Sequence, residues 1–212
     1  MWLAFTVIVI VVSIIPVIGG MIVGVATPLL IGGVMIAARG ADREGVVRFG
    51  DLFAGFSNRA GTLLLIGLLQ LIISMVIGIL FGIATAAYIG GTLGPGIAQM
   101  TAQQILTWQV MGPMLIVGAL FAVVFVPLTN AVWLASCLAA LHDMGALDAL
   151  RKAFSATLRN LLPLLVWVLV GLLLAIVATV PLALGWFVVG PVFLCAIYAQ
   201  YRDLFAATDK GA

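Results

Sequence analysis

Three long blocks of this sequence, residues 1–38, 60–142 and 160–201, contain no lysine, arginine, aspartate or glutamate. A soluble domain spreads about 25% charged residues over its surface, whereas this chain of 212 residues is 8% charged and 65% hydrophobic, with a mean hydropathy of +1.36. Only a bilayer suits such blocks as solvent. A spanning helix takes about 20 residues, so each block has room for at least two, and each holds a Pro/Gly break where a turn would fall. The expected fold is therefore all-α: a polytopic membrane helix bundle of about six transmembrane helices, at 1–15, 19–38, 61–83, 111–138, 160–180 and 185–201, arranged as three hairpins. Residues 1–205 read as a single transmembrane domain and 206–212 as a short cytoplasmic tail.

The positions of the charges set the orientation. Arg39, Arg43, Arg48 and Arg59 lie in 39–59, Arg151, Lys152 and Arg159 in 142–159, and Arg202 and Lys210 at the C-terminal end, which accounts for all nine cations. The connections at 16–20, 84–111 and 181–185 carry none. Positive charge stays on the cytoplasmic side, so both charged loops and both termini are expected there. MWLAFTVIVI has neither a basic start nor a cleavage site, so a removable signal peptide is not expected and the sequence is read as mature from Met1. A formal charge of +2 spread over several loops gives no nucleic-acid footprint.

Both charged loops have the pattern of short amphipathic helices at the cytoplasmic membrane surface. Leu147, Leu150, Phe154, Leu158 and Leu161 recur at helical steps opposite Asp148, Arg151, Lys152, Ser155 and Arg159. In the earlier loop Phe49, Leu52, Phe53 and Phe56 oppose Arg48, Asp51 and Arg59. A third such stripe, from Ile97 to the aromatic anchor Trp108, is expected at the outer interface after the Gly/Pro loop at 90–96. A weak repeat accompanies the hairpins. Pro28 and Pro191 each precede an arginine, Arg39 and Arg202, by eleven residues; Pro127 opens the corresponding stretch, and Pro16, Pro113 and Pro181 recur as turn prolines. Small residues at intervals of four offer close-packing faces: Gly20, Gly24, Pro28 and Gly32; Ser74, Gly78, Gly82 and Ala86; Gly171, Ala175 and Thr179.

Ionisable groups at membrane depth mark catalysis and ion coupling, yet all seven acids, Asp42, Glu44, Asp51, Asp143, Asp148, Asp203 and Asp209, belong to the charged segments. Neither catalytic residues nor an enzymatic activity is expected. With one histidine, His142, and two cysteines, Cys137 and Cys195, inside apolar runs, no metal site, disulfide or cofactor is expected either. His142 beside Asp143 has the form of a base held by a carboxylate, although a helix-end histidine hydrogen-bonded at the interface is the commoner outcome. The polar residues within the helices are Gln70 and Asn130, with Ser74, Thr129, Ser136 and Thr179 beside them; each amide is expected to face the bundle interior, as interhelical glue or as the lining of a polar cavity.

The stretches RFGDLFAGFSNRAGTLLLIGLL, LRKAFSATLRNLLPLL and LGWFVVGPVFLCAIYAQYRDLFA resemble an uncharacterised family of multi-pass proteins from proteobacterial inner membranes. Its most specific pieces are the run from Asp51 to Phe56, Arg159 with Asn160, and Tyr201 with Arg202 and Asp203. The resemblance implies a bacterial inner (plasma) membrane and an established topology without an established activity. Members commonly begin with a further cytoplasmic amphipathic stretch, where this chain starts at MWLAFTVIVI. The expected role is a scaffold or accessory subunit of a membrane complex, with the lipid bilayer and other membrane-protein subunits as partners. The alternative is a permease or channel for a small neutral or hydrophobic solute, using Gln70, Asn130 and helix breaks at Pro28, Pro127 and Pro191.

Overall fold

The computed structural model describes residues 18–46, 48–94, 107–180 and 184–206, together with Thr6. Helix α1 (Ile18–Glu44) runs past the charge boundary expected to end it, carrying Arg39, Asp42, Arg43 and Glu44 in helical conformation. Charged residues disfavour hydrocarbon, but most are good helix formers. The helix stops instead at Gly45, whose φ of +67° is a left-handed conformation that glycine adopts without a Cβ clash. A 3-10 turn (Phe49–Phe53) and a short helix α2 (Ala54–Asn58) follow. Then come α3 (Ala60–Tyr88), with a π-helical extension at Ile89–Leu93, α4 (Trp108–Leu141), α5 (Ala146–Arg159), α6 (Leu161–Thr179) and α7 (Trp186–Tyr201), which ends in a π-helical turn at Arg202–Ala206. No strand occurs among the described residues.

Four helices are long and apolar enough to cross a membrane: Gly19–Glu44, Ala60–Gly91, Val110–Leu141 and Leu161–Thr179. The expected helix at 1–15 and the expected outer stripe from Ile97 fall outside the described residues, apart from Thr6 and the Trp108 start of α4. Helix α7 has 16 residues, about 24 Å at 1.5 Å per residue, less than the roughly 30 Å hydrocarbon core. Pro28, Pro113, Pro127 and Pro191 all lie inside helices, as the expected spans had them; Pro113, also read as a turn proline, makes no turn, and the helices continue through the breaks the permease alternative used. Neighbouring helices and side chains re-satisfy the carbonyl that a proline frees, so an apolar helix can run through one.

Contacts divide the chain into two compact units, Met1–Leu71 with Thr129–Ala212, and Ile72–Leu128. In the first, Leu29, Leu30, Ile31, Val34 and Met35 of α1 are buried around the helix circumference, as are Val132, Leu134, Ala135, Cys137 and Leu138 of α4. Glycines let backbones meet here. A Cβ at Gly33 would lie 2.0 Å from the carbonyl oxygen of Leu52, one at Gly55 2.1 Å from that of Leu29, and one at Gly67 2.4 Å from that of Val25. The first charged loop is thereby strapped onto α1, with Leu52 fully buried while Phe53 and Phe56 remain exposed.

Helix α6 makes the opposite use of its residues. Only Leu164, Gly171 and Ala178, seven apart, are buried, and Leu162 is 73% exposed. Leaving such a leucine in water forgoes roughly 1.5–3 kcal/mol; lipid removes that cost. Gly171 and Gly185 close the α6–α7 pair, since their Cβ atoms would meet the Phe193 ring at 3.0 Å and Ala178 Cα at 2.4 Å. In the second unit Phe81, Phe121 and Phe125 stack in series at 4.6 and 5.0 Å between centroids. The small-residue face expected on α3 does not close-pack there against the described residues: none of them lies within 4 Å of a Cβ at Gly78 or Gly82.

Candidate functional site

The chain turns at 142–145 and α5 folds back along the end of α4. Asn130 and Thr157 then meet across the two arms, Asn130 Nδ2 donating to Thr157 Oγ1 at 3.2 Å. Both are buried, at 4% and 1% exposure. The bond joins side chains of α4 and α5. The partner of Asn130 is a side chain on a charged-loop helix and not the carbonyl freed by Pro127.

Helix α5 has three faces where two were expected. Ala146, Ala149, Ala153 and Thr157 are buried. Leu147, Phe154, Leu158 and, just beyond, Leu161 form an exposed row beside them, and Asp148, Arg151, Lys152, Ser155 and Arg159 a polar face. Small side chains admit a neighbouring helix closely, so they take the protein contact and leave the bulky row free. The recurrence of Ala146, Ala149, Ala153 and Thr157 at steps of three and four was readable, but a search for large apolar residues passes over it.

At the charged end, polar groups tie the elements together. Arg59 Nε donates to Asp143 Oδ1 at 2.8 Å, and its Nη2 also contacts that oxygen. Asp143 has a φ of +55°, a conformation that aspartate tolerates better than most residues. Arg39 Nη1 donates to the carbonyl of Leu141 at 3.1 Å, joining α1 to the end of α4. Asp42 receives the Tyr198 hydroxyl at 3.3 Å and Arg202 Nη1 at 3.4 Å, joining α1 to α7. His142 Nε2 pairs with the Tyr201 hydroxyl, so His142 and Asp143 turn to different partners and do not form a dyad with each other. Lys152 Nζ lies 5.6 Å from the Phe205 ring centroid. Cys137 is buried and Cys195 exposed, both as free thiols.

Gln70 does not join this constellation. Its Oε1 is buried without a hydrogen-bond partner among the described residues, where an interhelical bond or a cavity was expected. The architecture defines an all-helical protein with several membrane-length apolar helices. Comparison with known proteins finds no matching family model, curated protein or solved structure.

Proposed function

We propose that this chain is a non-enzymatic bacterial inner-membrane protein, a scaffold or accessory subunit of a membrane complex. In this reading the helix at 1–15 and α7 also span, giving six helices as three hairpins with both termini cytoplasmic. The bulky row of α5 contacts lipid at the cytoplasmic interface while its charged face points to water. The carrying observation is the Asn130–Thr157 bond: a polar group that a permeation path would need is instead holding the α4–α5 arm together. Purification in mild detergent with cross-linking from a cysteine at Ser155 tests the role. A stoichiometric membrane-protein partner is expected, and a preparation with none contradicts it.

One observation favours a permease or channel as the second reading, the unpartnered Gln70 Oε1. A buried amide carbonyl without a partner costs roughly 1–3 kcal/mol, and a solute or water in a cavity would relieve it. Liposome swelling with glycerol or urea separates the readings. The scaffold reading expects no permeability above empty liposomes and unchanged or raised stability in Gln70→Leu. Swelling abolished by that substitution would establish the permease.

A further inference from the structure

We infer that the cleft between the end of α1 and the strap preceding α2 is a binding site for the phosphodiester headgroup of an anionic phospholipid. This rests on the membrane and topology reading above and is independent of the scaffold role. The cleft has a volume of about 280 Å³ and is lined by Arg39, Arg43 and Arg48 with Glu44 and Asp51; at about 30 Å³ per water it holds roughly nine water molecules. Its three guanidinium groups exceed its two carboxylates by one charge, which a phosphodiester monoanion balances.

What sets the cleft arginines apart is that three of them share one cavity. Arg59 and Arg202 have carboxylate partners in Asp143 and Asp42, whereas Arg39, Arg43 and Arg48, like Arg151 and Arg159 on α5, form no ion pair among the described residues. Arg39 gives one donor to the Leu141 carbonyl and keeps others, since a guanidinium has five N–H groups. Asp51 Oδ2 accepts the backbone N–H of Arg48 at 3.1 Å, which holds that carboxylate to the strap backbone. Bidentate donors without a bound carboxylate are the usual means of holding phosphate oxygens.

The same face of α1 also borders an apolar surface. Val25, Leu29, Ile36, Gly40 and Arg43 recur at steps of four, seven, four and three, so they share one side of the helix. Below the strap on that side, an apolar groove of about 430 Å³ lies between α1 and α3, with Val25 and Leu29 as floor and Phe56, Leu64 and Leu68 as walls. Leu29 and Ile36 are roughly 10 Å apart along the helix axis, the order in which an acyl chain and its headgroup follow one another. The strap, whose backbone meets α1 at Gly33 and Gly55, lies between groove and cleft, so the assignment is to the headgroup in the cleft and the groove is a neighbouring apolar surface for acyl chains.

The test is native mass spectrometry of the full chain in detergent, titrated with phosphatidylglycerol, phosphatidylcholine or inorganic phosphate. Phosphatidylglycerol is expected to be retained in preference to phosphatidylcholine. Arg43→Gln with Arg48→Gln should weaken that retention roughly 25-fold, at about fivefold per cation near anionic lipid. Arg151→Gln with Lys152→Gln, which removes the same charge from α5, should leave it unchanged. Should the glutamine pair fail to fold, Arg43→Lys with Arg48→Lys keeps the charge, loses the bidentate fork and is expected to show intermediate retention. Equal loss in the α5 pair, no preference for the anionic lipid, or displacement of lipid by millimolar inorganic phosphate would each overturn the assignment. Failure of the membrane reading is seen separately, as extraction of the wild-type chain from membranes by alkaline carbonate.

Discussion

Helices α5 and α6 are consecutive, separated by Asn160, and both carry leucines on most turns, yet they bury different things. Helix α5 packs with Ala146, Ala149, Ala153 and Thr157, and α6 with Leu164, Gly171 and Ala178. In each, a seam made mostly of small residues carries the protein contact while large apolar side chains remain on the outside. On these two helices most leucines stay outside and the small residues mark the contact, unlike α1 and α4, where Leu29, Leu30, Leu134 and Leu138 are themselves buried. In lipid, which is as apolar as leucine, close packing has to drive association.

The largest effect should come from the tightest seam. Gly33→Ala places a methyl 2.0 Å from the Leu52 carbonyl oxygen, which cannot rotate away as a side chain end could. The strap must lift from α1, and a loss of about 3 kcal/mol is expected, at the upper end for overpacking, read from thermal unfolding in detergent. A variant as stable as wild type would remove backbone contact from the account. Next, Ala153→Leu on the buried face of α5 should cost about 2 kcal/mol, while Leu158→Ser, one step round the same helix, should cost less than about 0.5 kcal/mol. The opposite ranking would mean that the bulky row, not the alanine seam, meets the protein. Smallest is the polar link. Asn130→Leu and Thr157→Val should each cost about 1 kcal/mol, with the double variant little worse than either, because both remove one hydrogen bond. Full additivity would show that the two side chains act independently.

Much of this was legible in the sequence, and the gaps have physical causes. Charge-free blocks located the long helices, but α1 ran further, because charge marks where hydrocarbon stops and not where hydrogen bonding stops; α3 also outran its expected end at 83, within a charge-free block, and continues to the glycines at 90 and 91. Gly45 ends α1 and the sequence pattern alone placed the boundary at Arg39. The expected helices already contained Pro28, Pro113, Pro127 and Pro191, and the structure agrees; only the turn read at Pro113 and the breaks of the permease alternative fall away. The amphipathic character of 146–161 was visible, whereas its buried face was not, since alanine scores weakly on any search for apolar stripes. Asn130 was identifiable by being an amide in an apolar helix. Its partner Thr157 lies 27 residues on, across a turn, and no local pattern points to it.

The proposed orientation puts the charged end in the cytoplasm, where all nine cations fall, and cysteine accessibility in intact cells tests that most directly. In a background carrying Cys195→Ala, with Cys137 buried, single cysteines at Ser57 and Ser155 should resist a membrane-impermeant maleimide added outside and react after the inner membrane is opened. Labelling of both positions from the periplasmic side in unbroken spheroplasts would invert the topology and contradict the account.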